Sequence, residues 1–428
     1  MKKTVIVNGK AKRIEFSYAV GETISLSNNE VRKPWGRVTE RVTVSKLTFT
    51  IDGKTYEGTR TFKVAGGPYS ETFEFDGNSF ASHKKAIEYI LNNTNITIHY
   101  VTSDPDDQIF RIAEKESKIK PYYIGEKKLI TLMMKMDADV VVMTMPDIEN
   151  YHIKRSYIRK DINYVYVPHG MDSLNMTMRT GSMDHYDSVL CTGKIQKEEI
   201  EKTEEVYNLP KKELVEWGYS LLDEMREDYA KMPKKENDIK SILIAPSWQK
   251  DNIVDSCLED ILDNLKGHGY KITVRPHPQH VRHMPEKMEG LKERYKDDTD
   301  VEIQTDFSSN STVFEADLMI TDWSGIAYEY AYTTCKPVLF IDTPMKIMNP
   351  EYKKIGIEPL NIWMRYEIGR VLKLDEIDKT ADTVAKMLAA SDTYKDSIDQ
   401  FVKEYVYNLG SSASVGAKYI IQEIQKAI

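Results

Sequence analysis

From Thr72 onward the chain repeats one rhythm, an apolar run of three to six residues followed by a longer stretch of helical periodicity. The runs are Thr72–Phe75, Ile96–Val101, Val140–Met143, Tyr164–Val167 and Val189–Cys191. Runs this short and this continuously apolar predict strands covered on both faces, as in a parallel sheet whose crossover helices pack above and below. A charged, helix-prone linker over Lys211–Asp238 interrupts the pattern. It resumes with Ile242–Ala245, Ile272–Arg275, Val301–Ile303, Leu318–Ile320 and Val338–Ile341. A final helix over Val415–Ile428 is expected to pack back on the first half.

The first seventy residues read differently. Thr4–Val7 runs into Asn8-Gly9 and Leu47–Ile51 into Asp52-Gly53, dipeptides that accept the positive φ of tight hairpin turns. The expected organisation is therefore a β-rich accessory module over 1–70, a Rossmann-like domain over 71–217, and a second Rossmann-like domain over 218–428 with closing C-terminal helices. Two such halves facing a cleft make the fold class α/β, of the GT-B type used by many nucleotide-dependent transferases, although fold alone does not assign chemistry.

A chain of 428 residues exceeds what one hydrophobic core usually organises, which agrees with this division. Its net charge of −8 is unevenly spread. Residues 1–70 hold 13 Lys or Arg against 6 Asp or Glu, a surplus of +7 that leaves −15 elsewhere. Such a basic face suits anionic lipid or an anionic polymer, or is simply solvated. The acidic main body repels a phosphate backbone, so nucleic acid is not an expected partner. No apolar run approaches the roughly 20 residues of a membrane span, and the polar start is unlike a signal peptide. The expected location is the cytoplasm, with any membrane contact peripheral and at the inner face. Cys191, Cys257 and Cys335 are far apart and show no metal or disulfide spacing.

Ligands of doubly wound sheets gather at the carboxyl ends of strands, so candidate chemistry lies where each apolar run ends. After Tyr164–Val167 comes Pro168-His169-Gly170, where His169 can accept a hydroxyl proton and Gly170 allows close backbone approach. After the run that ends at Arg275 comes Pro276-His277-Pro278, a restrained loop whose Arg275 and His277 suit a diphosphate. His277, His280 and His283 also invite a metal reading, but no carboxylate pattern supports it and the later two are expected to face solvent. Leu318–Ile320 leads into Thr321-Asp322-Trp323-Ser324-Gly325, and a helix begins near Ser324. Its free amides, the Ser324 hydroxyl and the Gly325 backbone would hold phosphate, and Glu329, just over one turn on, would accept from a ribose. Asp322 and Ser324 are equally the residue types that cap helices. Pro246 and Ser247, in Ala245-Pro246-Ser247-Trp248, and the Trp217–Ser220 stretch can line the cleft or pack as hinge and core.

Taken in register, these segments resemble the CDP-glycerol glycerophosphotransferase family, the teichoic acid primases and polymerases, over about residues 71 to 405. The matching motifs are His169-Gly170, Ala245-Pro246-Ser247-Trp248, Arg275 to Pro278, and Thr321 to Gly325. The resemblance implies an acceptor domain followed by a donor domain, and transfer of an alditol phosphate from CDP-glycerol or a relative to a hydroxyl of an envelope polymer or lipid-linked acceptor. His169 would then be the general base, His277 and Arg275 would hold the diphosphate, and Ser324 with Gly325 would hold phosphate. No cofactor beyond the activated donor and no metal is implied. The sequence departs from the family at Gly325, where a second serine is usual, and at Gly218–Asp223, which lacks the family's Arg and Asn. Competing readings are a GT-B glycosyltransferase using a nucleotide sugar and a non-catalytic module that binds a nucleotide or polymer.

Overall fold

The computed structural model describes residues 2–7, 10–15, 27–33, 36–51, 54–64, 72–74, 79–105, 107–233, 239–307 and 311–427. The N-terminal strands are β1 (Lys2–Val7), β2 (Lys10–Glu15), β3 (Ser27–Lys33), β4 (Gly36–Ile51) and β5 (Lys54–Val64). β1 pairs antiparallel with β2, and β4 pairs antiparallel with β3 and β5. The pairs Val7–Lys10 and Ile51–Lys54 end the two hairpins. Their expected turn residues, Asn8-Gly9 and Asp52-Gly53, lie outside the described residues, as does Phe75.

Two parallel sheets follow. The first contains β6 (Thr72–Glu74), β7 (Ile98–Thr102), β8 (Ile119–Tyr123), β9 (Val140–Met143), β10 (Asn163–Tyr166), β11 (Ser188–Cys191) and β12 (Glu213–Glu216), in the order β12-β11-β10-β9-β6-β7-β8. The second contains β13 (Ser241–Ile244), β14 (Lys271–Val274), β15 (Val301–Ile303), β16 (Leu318–Thr321), β17 (Val338–Ile341) and β18 (Gly369–Leu372), in the order β15-β14-β13-β16-β17-β18. Central strands such as β9, β11, β16 and β17 are buried at every position, which is why they read as unbroken apolar runs. Together the two sheets give the α/β fold of GT-B type.

The stretch read as a helix-prone linker over Lys211–Asp238 is corrected here: it holds the edge strand β12 and a helix over Ser220–Lys231, with residues 234–238 outside the described set. An edge strand is covered on fewer sides, so Glu213 and Glu216 stand exposed around the half-buried Leu214 and Val215. Charge, not an apolar run, is what its sequence displays.

Each sheet has a switch point where strand order reverses, between β6 and β9 in the first and between β13 and β16 in the second. Loops leaving the two strands of such a pair diverge and open a crevice at their carboxyl ends. The segments after β13 and β16 flank the second crevice. The loop after β10 approaches from the first sheet. Across this seam the Ser173 amide donates to Asn361 Oδ1 at 2.7 Å and Asn175 Nδ2 to the Tyr352 carbonyl at 2.7 Å. Met176 packs there with Trp323 and Tyr352.

The last helix, Ser412–Ala427, returns to the first sheet and packs on helix Ser79–Asn93. Tyr419 donates to Ser188 Oγ at 2.6 Å and Glu423 accepts from Asn163 Nδ2 at 2.8 Å, joining it to β11 and β10. Asp223 accepts from the Gly410 amide at 2.6 Å and from the Ser412 amide at 3.0 Å, and also takes the Ser412 hydroxyl. Gly218 has φ of +94°, and a Cβ there would lie 2.2 Å from the Tyr407 carbonyl oxygen, so the crossing of the two segments requires glycine. Trp217 and Tyr219 are both buried at this crossing.

Candidate active site

The second crevice is held open by side chains tied to one another. Thr321 and Asp322 are buried. Thr321 Oγ1 donates to the Ala245 carbonyl at 2.5 Å, tying the end of β16 to that of β13. Asp322 accepts the Ser247 amide at 2.7 Å and the Thr343 hydroxyl at 3.2 Å. Both residues therefore commit their polar atoms to the frame of the crevice. Pro246 and Ser247 are buried as well, and Ser247 Oγ has no partner among the described residues.

Ser324 and Gly325 lie where the frame ends. Ala327 and Tyr328 donate back to the carbonyls of Ser324 and Gly325, closing the first turn of helix Ile326–Thr334. The amides ahead of that turn have no intrahelical acceptor by helix geometry. Gly325 is exposed, and a Cβ built on it would meet nothing within 4 Å. The helix end thus opens on free space, as an anion site requires. Trp323 behind it is buried, donates Nε1–H to the Thr343 carbonyl at 2.9 Å, and stacks under the Arg365 guanidinium, 4.0 Å from the ring centroid. Arg365 in turn pairs with Asp342 at 3.0 Å.

Glu329 sits one turn inside the same helix. Although it keeps some access to solvent, protein surrounds its carboxyl, and burial with the nearby Asp172 pushes it up from 4.5 to about 7 against the pull of Arg275. Asp172 belongs to the loop after β10, so a charge on that loop reaches Glu329 across the seam. Arg275 is buried, donates Nη1–H to Thr312 Oγ1 at 3.2 Å, and lies over the Phe307 ring at 5.4 Å.

His277 caps helix Pro278–His283: its Nδ1 accepts the Gln279 amide at 3.2 Å. That bond leaves the ring proton on Nε2, where it can be donated outward. Burial, with Lys346 and His280 nearby, depresses the ring to about 4, so it stays neutral at ordinary pH. His280, expected at the surface, is instead fully buried, edge-on to Trp248 and 3.2 Å from Asn252 Nδ2. The buried Asn252 braces its own segment through Gln249, Val254 and Asp255 and joins it to His280, a partner that composition alone did not reveal. His283 is exposed and stacks on the other side of Trp248. Among the described residues no three His, Cys, Asp or Glu side chains gather as a metal site would require.

His169 stands at the other wall, exposed beyond the end of β10. Its carbonyl accepts the Tyr219 hydroxyl at 2.9 Å, which fixes its backbone to the crossing segment. Gln196 Nε2 donates to the carbonyls of Gly170 at 3.2 Å and Asp172 at 2.9 Å, fixing the rest of the loop. A Cβ on Gly170 would lie 2.7 Å from Asp172 Oδ1, so a side chain here would displace the Asp172 carboxylate. The structure therefore brings Arg275, Glu329 and the helix end together in one crevice with His277 at its side, and places His169 on the facing loop. Asp172, Lys346 and Arg365 join them from segments where no motif marks them.

Residues 72–413 match the family model described as CDP-glycerol:poly(glycerophosphate) glycerophosphotransferase. The minor teichoic acid biosynthesis protein GgaB of Bacillus subtilis strain 168 is 22% identical over 352 residues, covering 73% of this chain and 35% of that protein. The chain thus spans about a third of the length of this curated relative. Among solved structures, the wall teichoic acid polymerase TagF, soaked with CDPG, superposes with a TM-score of 0.50 at 15% identity, over 83% of this chain and 89% of that one. The UDP-GlcNAc 2-epimerase of Methanocaldococcus jannaschii, in complex with UDP-GlcNAc and UDP, gives 0.55 at 15% identity, over 82% and 99%. At these identities the superpositions show a shared fold.

Proposed function

This chain belongs to the CDP-glycerol:poly(glycerophosphate) glycerophosphotransferase family, and from that premise we propose that it transfers glycerol phosphate, or a related alditol phosphate, from a CDP-activated donor to a hydroxyl of a cell-envelope polymer or lipid-linked acceptor. One observation carries the reading: the loop after β10, which bears the exposed His169, packs against the second sheet's side beside a crevice holding a free helix end, a neutral histidine donor and a buried arginine. In the reaction the acceptor oxygen attacks the β-phosphorus while His169 takes its proton. The bond from that phosphorus to the bridging oxygen breaks, and CMP leaves with the electron pair. Charge developing on phosphate and leaving group would be met by the Nε2–H of His277, by Arg275, and by the Ser324 hydroxyl with the amides at Gly325. Glu329 would accept from the ribose.

The basic surplus of residues 1–70 supports a peripheral contact with anionic lipid at the inner face of the cell membrane, where a lipid-linked acceptor would be met. Among the described residues no helix is long and apolar enough to cross a membrane.

A thermal-shift series against CDP, CMP, UDP, GDP, CDP-glycerol and CDP-ribitol tests the donor, because a ligand that binds only the folded state raises its melting temperature. Stabilisation by cytidine nucleotides, strongest with one CDP-alditol, is the expected result and names the donor. Preference for UDP or GDP would move the reading to a sugar transferase, and no shift with any of them to a non-catalytic module.

A further inference from the structure

A second cavity lies apart from the crevice, between helix Lys194–Tyr207 and the loop Arg179–Asp184, with Asn349 of the second sheet's side closing one edge. Its volume is about 230 Å³, and none of the residues assigned to the transfer site lines it. That volume is several times the roughly 30 Å³ a water takes in the liquid, yet below the roughly 300–1,000 Å³ of clefts for drug-sized ligands.

The lining is built for hydrogen bonding. Ser182 is 3% exposed, and among the described residues its hydroxyl has no protein partner. The Lys212 side chain is 4% exposed, and its ammonium meets Glu204 only at 3.6 Å, leaving donor capacity unused. Asp184 accepts no hydrogen bond through its carboxylate from any described residue. Glu199, at the inner end, is buried and accepts from Ser173 Oγ at 2.5 Å and the Asn175 amide at 3.2 Å. Leu174, Ile200 and Leu209 supply apolar wall between these groups.

Charge selects among ligands. Three carboxyl groups, Asp184, Glu199 and Glu204, line the cavity against two cations, Arg179 and Lys212, and both cations already have carboxylate partners. A phosphate would find both cations already neutralised by Asp147 and Glu204, with the Asp184 carboxylate beside them, and so would face more repulsion than attraction. An ammonium ligand would leave Ser182 and Lys212 unanswered in part. A hydroxyl donates and accepts at once, so adjacent hydroxyls can donate to Asp184 while accepting from Lys212 and Ser182. Apolar wall then covers the C–H faces of a ring. We infer that this cavity is a binding site for one uncharged, hydroxyl-rich unit of pyranose size.

Saturation-transfer NMR on the full chain tests this directly and needs no turnover, so it stands or falls separately from the transfer reaction. The probes are N-acetylglucosamine, galactose and glycerol, each with and without saturating CDP, and with inorganic phosphate added as a competitor. The expected result is transfer to a pyranose that neither CDP nor phosphate reduces, with little to glycerol. Thr203→Trp, which fills the cavity from the helix wall, should weaken it at least about tenfold. Ser182→Ala, which removes a single oxygen, should weaken it several-fold and decides the matter if the larger change alters the melting transition. Competition by CDP would put the sugar in the nucleotide crevice, displacement by phosphate would make this an anion site, and no transfer to either sugar would leave the cavity to water. Each of these outcomes overturns the inference.

Discussion

Asp322 Oδ1 accepts the backbone amide of Ser247 at 2.7 Å, and through that one bond the loop after β16 fixes the loop after β13. The carboxylate is buried and its second oxygen takes the Thr343 hydroxyl, so three loops at the mouth of the second sheet depend on one side chain. Asp322→Ala would leave a buried amide without an acceptor, at a cost of about 1–3 kcal/mol. Chemical denaturation should show this loss. Unchanged stability would mean that the loops hold their places by other contacts.

His169→Ala should lower turnover at least about a hundredfold, as loss of a general base does, with donor affinity close to the parent's. The side chain is exposed, so its truncation opens no cavity in the core, and single-turnover rates with calorimetric donor binding would read both parts. Near-normal turnover would exclude the role.

Gly325→Asp should fold normally, because its Cβ enters open space and its φ of −60° suits any residue. A carboxylate in front of the helix end would repel the donor's phosphates, and CDP affinity should fall at least about tenfold. Parent-like affinity in a calorimetric titration would remove the phosphate site from this helix.

Glu329 carries a pH dependence of defined sign. Its carboxyl titrates at about 7 in the folded chain against an ordinary value of 4.5. Between those values the folded state holds a proton that the unfolded state has lost, so stability falls as pH rises through the window. His277, depressed from 6.5 to about 4, contributes in the opposite sense. Glu329→Gln removes only the first effect, so denaturation at about pH 5 and about pH 7.5 should show a smaller fall than in the parent. Some fall should persist, since burial also pushes Glu199 up to about 7. An identical fall in variant and parent would show that Glu329 titrates normally.

The central strands of both sheets were legible because burial on both faces leaves an unbroken apolar run, as in Val140–Met143 and Val338–Ile341. β8, β12 and β18 were not, and all three are edge strands. β8 carries Pro121 between the exposed Lys120 and Tyr123, and β18 opens with Gly369 and an exposed Arg370, so neither shows the signature of a covered strand. At the crevice, sequence located the polar strand ends but not the direction of each side chain. Nothing in Thr321-Asp322-Trp323-Ser324 distinguishes the residues that tie the frame from those at its open end. Arg365 reaches the same place from helix Leu360–Glu367 and Lys346 from the loop after β17, and only the folding of the second sheet brings them there.

The return of helix Ser412–Ala427 to the first sheet carries a consequence for how the molecule is made. Its partners Ser79–Asn93, Asn163 and Ser188 emerge from the ribosome hundreds of residues earlier, and must wait with an apolar face uncovered while the whole second sheet is synthesised. The half that begins first is therefore the half that is completed last. A ribosome stalled shortly before Ser412 would release a chain whose second sheet has all its strands while the first still lacks its cover, and chaperone demand during synthesis should concentrate on the earlier half.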